Sequence, residues 1–206
     1  HTEKTIQGTA PTCSKTGLTD GITCSVCNAV IKAQETLLQT DHTYYNNKCT
    51  GCTAYLSESS GLSFTLNSEG TEYAVSGIGS CKDTDLVIPA TYKGLPVTSI
   101  AFCAFYGKTS IKSVIIPDNI KYIDKSAFEG CSYLHTVDIG NGVEMVAGDM
   151  LEGAFWECKS LTNLRLGNSL KTIQGSAFAY CESLESVVIP DSVEVIGAGA
   201  FGACTK

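Results

Sequence analysis

Basic residues are scarce in this chain: 14 Lys and Arg against 21 Asp and Glu among 206 residues, for a formal net charge of −7. A nucleic-acid partner would need clustered Lys and Arg to neutralise phosphates, so that class is excluded. The acidic balance identifies no ligand by itself and mainly favours solubility. Long apolar runs are missing as well. No stretch approaches the ~18 uninterrupted apolar residues of a membrane helix, so no helical span is expected. Histidine is rare, with only His1, His42 and His135, which leaves acid–base catalysis poorly supplied. G-x-S-x-G, H-E-x-x-H and a Gly-rich loop ending in Gly-Lys-Ser/Thr are all absent. Gly197-Ala198-Gly199-Ala200-Phe201-Gly202 fits G-x-G-x-x-G literally. Dinucleotide binding needs that motif between a strand and a helix, whereas here it falls in the turn of a repeat. No catalytic residue is assigned, and the protein is read as a non-enzyme. The chain opens on His1 rather than Met, so an N-terminal segment is expected to have preceded it.

What the chain does have is a period. An Ala-Phe pair recurs at Ala104-Phe105, Ala127-Phe128, Ala154-Phe155, Ala177-Phe178 and Ala200-Phe201. Four residues before each pair stands Ile100, Ile123, Ile173 or Ile196, with Val146 displaced by a four-residue insertion. Four residues after each Ala stands Cys131, Cys158, Cys181 or Cys204, replaced in the first copy by Lys108. A repeat of about 23 residues marks a solenoid, each coil being one supersecondary unit.

Within a coil, Leu184, Val187 and Ile189 alternate as in a short strand with one buried face, and Pro190 ends it by withholding an amide donor. Val193 and Ile196 form a second apolar ledge before the Ala-Phe turn. The earlier copies supply Leu161, Leu164 and Leu166, then Leu134, Val137 and Ile139, then Ile111, Val114 and Ile116. A coil burying roughly six such side chains gains ~1.5–3 kcal/mol from each. Ordering its backbone costs about 1–2 kcal/mol per residue, so one coil alone is unstable. Stacking on neighbours, which buries both flat faces, is what makes the array stand.

The pattern LxxVxIPxxVxxIgxxAFxxC resembles the BspA-like (Treponema pallidum-type) leucine-rich repeats of bacterial and some protist surface proteins, over about Cys81 to Cys204. The resemblance implies a curved solenoid, surface display or secretion, and a role in adhesion or protein binding. The expected fold is mainly β with short helical turns. Residues 81–206 form the solenoid of about five coils, residues 61–80 a β-hairpin cap, and residues 1–60 a small cysteine-rich module. In the cap, Phe64 and Leu66 should pair with Tyr73 and Val75 around the turn Asn67-Ser68-Glu69-Gly70. The sequence stops just after the fifth Ala-Phe turn, which would leave an apolar stacking face uncovered. Either the chain is a fragment or a partner covers that face, with self-association through the last coil as one form of the latter.

The cysteines fall into two classes. Cys131, Cys158, Cys181 and Cys204 share one column and read as a ladder of small buried side chains. Cys81 and Cys103 lie off it and are expected to stay unpaired. In the N-terminal module, Cys24-Ser-Val-Cys27 and Cys49-Thr-Gly-Cys52 are two Cys-x-x-Cys knuckles at zinc-ribbon spacing. So small a unit needs a staple to fold. A structural zinc held by Cys24, Cys27, Cys49 and Cys52, a Cys/His set drawing on Cys13 or His42, and disulfides all fit. Four protein ligands would leave no open position for catalysis. The segment PTCSKTGLTDGITCSVCNA also resembles a cysteine-containing module found beside these repeats in anaerobic bacterial surface proteins. In that module a His follows the second knuckle cysteine, as His42 does here.

A partner is expected on the outward strand positions, where Lys112, His135, Asp138, Asn163, Arg165 and Glu185 form a mixed-charge face. The insertion at Ala147–Gly153 must bulge outward, and beside it stands Trp156, a residue type enriched at binding hot spots. The reading is a secreted or surface-displayed, non-catalytic module that binds a protein or glycan on a host or neighbouring cell. A structural spacer, or an accessory region of a larger surface enzyme, are the alternatives.

Overall fold

The structure, a computed structural model, describes residues 2–11, 17–37 and 57–206, together with the backbone of 44–45 and 48–49. The chain divides into two compact units, His1–Leu56 and Ser57–Lys206.

The first unit is built of short strands. Strands β1 (Glu3–Ile6), β2 (Gly17–Leu18), β3 (Gly21–Cys24), β4 (Val30–Lys32), β5 (Thr36–Leu37), β6 (Tyr44–Tyr45) and β7 (Lys48–Cys49) follow one another. A three-stranded antiparallel sheet runs β1-β3-β4, and β2 pairs β5 and β6 pairs β7, both antiparallel. The turn between β3 and β4 carries the first cysteine knuckle. Cys13, His42 and Cys52 lie outside the described residues, as does the side chain of Cys49.

The second unit opens with the hairpin β8 (Ser63–Leu66) and β9 (Tyr73–Gly77), in which Phe64 faces Val75 and Leu66 faces Tyr73. Asn67 closes its turn: the Thr71 amide donates to Asn67 Oδ1 at 2.9 Å, and Gly70 takes the left-handed φ of +71° that only glycine adopts without strain. Strands β10 (Asp85–Val87), β11 (Thr91–Tyr92), β12 (Leu95–Ile100), β13 (Ser113–Ile116), β14 (Tyr122–Ile123), β15 (Thr136–Ile139), β16 (Met145–Val146), β17 (Asn163–Arg165), β18 (Thr172–Ile173) and β19 (Val195–Ile196) complete it. Two sheets result, parallel throughout except where β8 pairs β9 and β11 pairs β12 antiparallel. One runs β10-β13-β15-β17; the other runs β19-β18-β16-β14-β12-β9-β8, with the hairpin covering its first coil. The register is that of the repeat, Ser99 opposite Tyr122 and Tyr122 opposite Met145.

A third side of each coil is the Ala-Phe turn. There the amides of Phe105, Phe128, Phe155 and Phe178 donate to the carbonyls of Ala127, Ala154, Ala177 and Ala200, at 2.7–2.8 Å. The rings stack inside, with centroids 4.8, 5.0, 5.1 and 5.3 Å apart from Phe105 through Phe201. The apolar strand positions Val114, Ile116, Val137, Ile139, Ile123, Val146 and Ile173 complete this core and are fully or almost fully buried.

The expected short helical turns are not helices: no helix occurs among the described residues. The reason is local. The third residue after each turn alanine has a left-handed φ, in Gly107, Gly130, Glu157, Tyr180 and Ala203. In four of the five coils the residue before the alanine does too, in Cys103, Ser126, Ser176 and Gly199. Helical continuation is broken on both sides of every such turn.

The expected strand at Leu184–Ile189 also does not form. Its neighbour β17 is therefore the last strand of its sheet, although the same coil still pairs β19 with β18 and stacks Phe201 on Phe178. Val188, at the outward position that Arg165 holds one coil earlier, is 85% exposed, and Ile189, Val195 and Ile196 are exposed as well.

Candidate interaction surfaces

The candidate surfaces are the outward face of the first parallel sheet, the inserted loop of the third coil with Trp156 beside it, and the cysteine knuckle of the N-terminal unit.

On the sheet face, parallel pairing puts Asp85, Ser113, Thr136 and Asn163 in one row. Ile115, Asp138 and Arg165 form the next row. Lys112, His135 and Thr162 precede the strands at matching positions, their backbones linked where the amides of His135 and Thr162 donate to the carbonyls of Lys112 and His135. Lys112, His135, Asn163 and Glu185 are exposed, as a partner-binding residue must be. Asp138 is not. It is only 7% exposed, wedged between Ile115 and Arg165, and forms an ion pair with the Arg165 guanidinium. Its role is to fix Arg165, whose side chain stays about one-third exposed and gives the face a positive point. Ser113 Oγ donates to Asp85 Oδ1 at 2.6 Å, tying that row together.

Trp156 belongs to another surface, on the Ala-Phe side. Its half-buried ring lies 5.1 Å from that of Tyr180 on the next coil, tilted by 39°. Tyr180 escaped sequence reading because it stands at a turn position that glycine fills in the first two coils. Its left-handed backbone, φ +59°, is what aims it at Trp156.

The insertion does bulge, while the coils on either side keep register: Met145 still pairs Thr172 and Phe155 still stacks between Phe128 and Phe178. A bridge between Gly148 and Gly153 closes the loop at its neck. Asp149 organises the tip. Its Oδ1 accepts the amides of Leu151 and Glu152 at 2.9 and 3.0 Å, and its own amide donates to the Glu152 carbonyl at 2.7 Å. Lys125 Nζ reaches across from the preceding coil to Asp149 at 2.8 Å and Glu152 at 3.3 Å. These contacts, the Lys125 bond foremost, lower the Asp149 carboxyl from its ordinary 3.8 to about 2. A depressed carboxylate supports the fold above its unfolded value and loses that support as pH falls. The Leu151 and Glu152 amide resonances should therefore move between about pH 4 and 2, and Asp149→Asn should remove the transition. Unchanged amide shifts over that window would show that the carboxylate does not hold the loop.

The column of turn cysteines has a bond that its spacing did not show. Each thiol donates to the carbonyl of the Phe one coil earlier: Cys131 to Phe105 at 3.1 Å, Cys158 to Phe128 at 3.3 Å, Cys181 to Phe155 at 3.4 Å and Cys204 to Phe178 at 3.5 Å. Burial pushes the Cys131 thiol up to about 12 and raises Cys158 and Cys181 likewise. These are protonated, inert core groups.

The knuckle differs in kind. Cys24 is buried, yet its Sγ accepts the amides of Val26 at 3.4 Å and Cys27 at 3.5 Å. Those bonds, that from Cys27 first, lower its pKa below the usual thiol value. The Asn28 amide donates to the Cys24 carbonyl at 2.9 Å, and Asn28 takes a left-handed φ of +59°. Amides aimed at sulfur stabilise a thiolate, the form that binds metal. Among the described residues, no three potential ligands converge on one point.

No helix of the described residues is long and apolar enough to cross a membrane. No curated protein matches the chain. Among solved structures, the T. pallidum leucine-rich repeat protein TpLRR is 32% identical over 70% of this chain and 65% of its own, with a TM-score of 0.64. A leucine-rich repeat protein from Bacteroides ovatus is 30% identical over 70% of this chain and 38% of its own, TM-score 0.60. A leucine rich cell surface protein from Faecalibacterium prausnitzii is 29% identical over 70% of this chain and 39% of its own, TM-score 0.59. The chain thus spans less than two-thirds of the length of each. Residues 79–206 match the BspA type leucine rich repeat region in six copies. With period, register and stacked core in agreement, the chain belongs to the BspA-type leucine-rich repeat family.

Proposed function

We propose that the repeat unit is a non-catalytic interaction module displayed at a cell surface or secreted, which presents the outward face of its first parallel sheet to a protein or glycan. One observation carries the reading. Lys112, His135 and Asn163 are exposed on successive coils whose backbones are hydrogen-bonded at a lateral spacing of about 4.8 Å, and Glu185 is exposed on the coil that follows. A rigid row of that kind recognises a partner without ordering cost, which is how solenoids bind. Support for surface display comes from the family and from the F. prausnitzii relative, described as a cell surface protein. The test compares the chain with its K112E/H135A variant on a glycan array and on fixed bacterial and epithelial cells. Loss of wild-type binding in a variant that melts at the same temperature supports the reading. Equal binding by both would move the site away from this face, and none by either favours a structural spacer.

Two further readings rest on their own observations. The amides aimed at Cys24 Sγ favour a structural zinc held by the Cys24–Cys27 knuckle with Cys49 and Cys52, with Cys13 and His42 as alternates. Elemental analysis with thiol counting on native protein should return one zinc per chain, lost together with N-terminal secondary structure on chelation. Zinc-free protein with the N-terminal cysteines oxidised would instead assign disulfides. The exposed Val188, Ile189, Val195 and Ile196 favour self-association through the last coil. Sedimentation should show concentration-dependent dimers that V188E/V195E abolishes, and a monomeric wild type would refute it.

A further inference from the structure

The inserted loop raises a question that the sheet face does not answer. Met150 and Leu151 are 85% and 80% exposed, side by side, at the tip of the only coil among the five that carries extra residues. A flexible loop would fold such side chains back onto the coil. This one is prevented from doing so by the Gly148–Gly153 bridge, the two amide bonds to Asp149, and Lys125 gripping Asp149 and Glu152. The apolar tip is thus held out in water by polar contacts at its base. That is an energetic liability unless something covers it.

The chemistry of the tip and its surroundings narrows what covers it. Met and Leu offer no flat π face, so the tip is poorly suited to stacking on a sugar ring. Its neighbourhood is acidic. Asp149 and Glu152 flank the tip, and Asp124, Glu129 and Glu152 all lie close enough to Cys103 to help burial raise its thiol pKa. Lys125 offsets part of this charge. An anionic bilayer surface would be repelled. A protein pocket with apolar walls and a basic rim is complementary on both counts.

We infer that Met150 and Leu151 form a preorganised plug for an apolar, Lys/Arg-rimmed pocket or groove on a partner protein, on a surface separate from the sheet face. Met adapts its shape to an irregular pocket, the exposed carboxylates steer approach, and the fixed loop avoids an ordering cost on binding.

The test uses the full 206-residue chain, M150S/L151S, and K112E/H135A as the sheet-face control. A random dodecapeptide library is panned on wild-type protein after depletion on M150S/L151S. Enriched peptides are then measured by fluorescence anisotropy against all three proteins. The expected peptides combine apolar residues with flanking Lys or Arg. They lose at least tenfold in affinity on M150S/L151S, keep it on K112E/H135A, and weaken as salt rises. Because both side chains are exposed, M150S/L151S should melt with wild type, and D149A, which frees the loop while keeping the tip, should weaken the same peptides. Failure to enrich any peptide, equal affinity for all three proteins, or peptides without basic flanks would overturn the inference. So would sedimentation with phosphatidylglycerol vesicles that depends on Met150 and Leu151. Loss on K112E/H135A alone would instead support the sheet face and discard the plug.

Discussion

Phe155→Ala is expected to lower the unfolding free energy of the repeat unit by about 3–5 kcal/mol, the cost of a large cavity in a close-packed core. Phe155 is fully buried and stacked on both sides, 5.0 Å from Phe128 and 5.1 Å from Phe178. Its removal breaks the ring column in the middle of the array, where each coil depends on the next. Phe201→Ala is the control. That ring has one stacking neighbour, Phe178 at 5.3 Å, and is already partly exposed, so its loss should cost less than half as much. Urea titration followed by the fluorescence of the single tryptophan, Trp156, separates the two. Equal costs at the two positions would mean that stacking between coils does not govern stability.

The second large effect is alkaline. Thiols that stay protonated in the native state but ionise in the unfolded chain draw the equilibrium toward unfolding as pH rises. The ordinary value is 9.0 and the folded Cys131 value is about 12, with Cys158 and Cys181 raised in the same direction by the same burial. Stability is therefore full below about pH 9 and falls above it, by about 1.4 kcal/mol per pH unit for each such thiol. Between pH 9 and 11 the urea midpoint should drop steeply. In C131A/C158A/C181A, which is less stable at pH 7 because three hydrogen-bonded thiols are gone, the slope should be much shallower. A parallel slope in the two proteins would assign the alkaline loss to tyrosine and lysine instead.

The fold was largely legible because its physics is periodic. Five Ala-Phe pairs and the apolar residues between them fix which side chains must be buried, and a coil too small to stand alone has to stack. The hairpin cap was legible for the same kind of reason: Phe64 and Leu66 alternate opposite Tyr73 and Val75 around an Asn-to-Gly turn. The backbone conformation of the turns was not. Glu157, Tyr180 and Ala203 adopt the left-handed φ that glycine takes at Gly107 and Gly130, and nothing in those three residue types announces it. Of the candidate residues, the exposure of Lys112, His135, Asn163 and Glu185 followed from the period, which sets them between the inward apolar positions. The burial of Asp138 did not, because it depends on Arg165 one coil away.

By itself, then, the sequence determined the repeat, its core and the side chains facing outward, since these follow from a period that local chemistry imposes. Tertiary structure alone decided that the cysteine column would lend its thiol protons to neighbouring Phe carbonyls and that Trp156 would meet Tyr180. It also decided that Lys125 would hold Met150 and Leu151 out into water. Each of those contacts joins residues on different coils or fixes a geometry within about 3 Å, and a one-dimensional pattern carries no record of such distances.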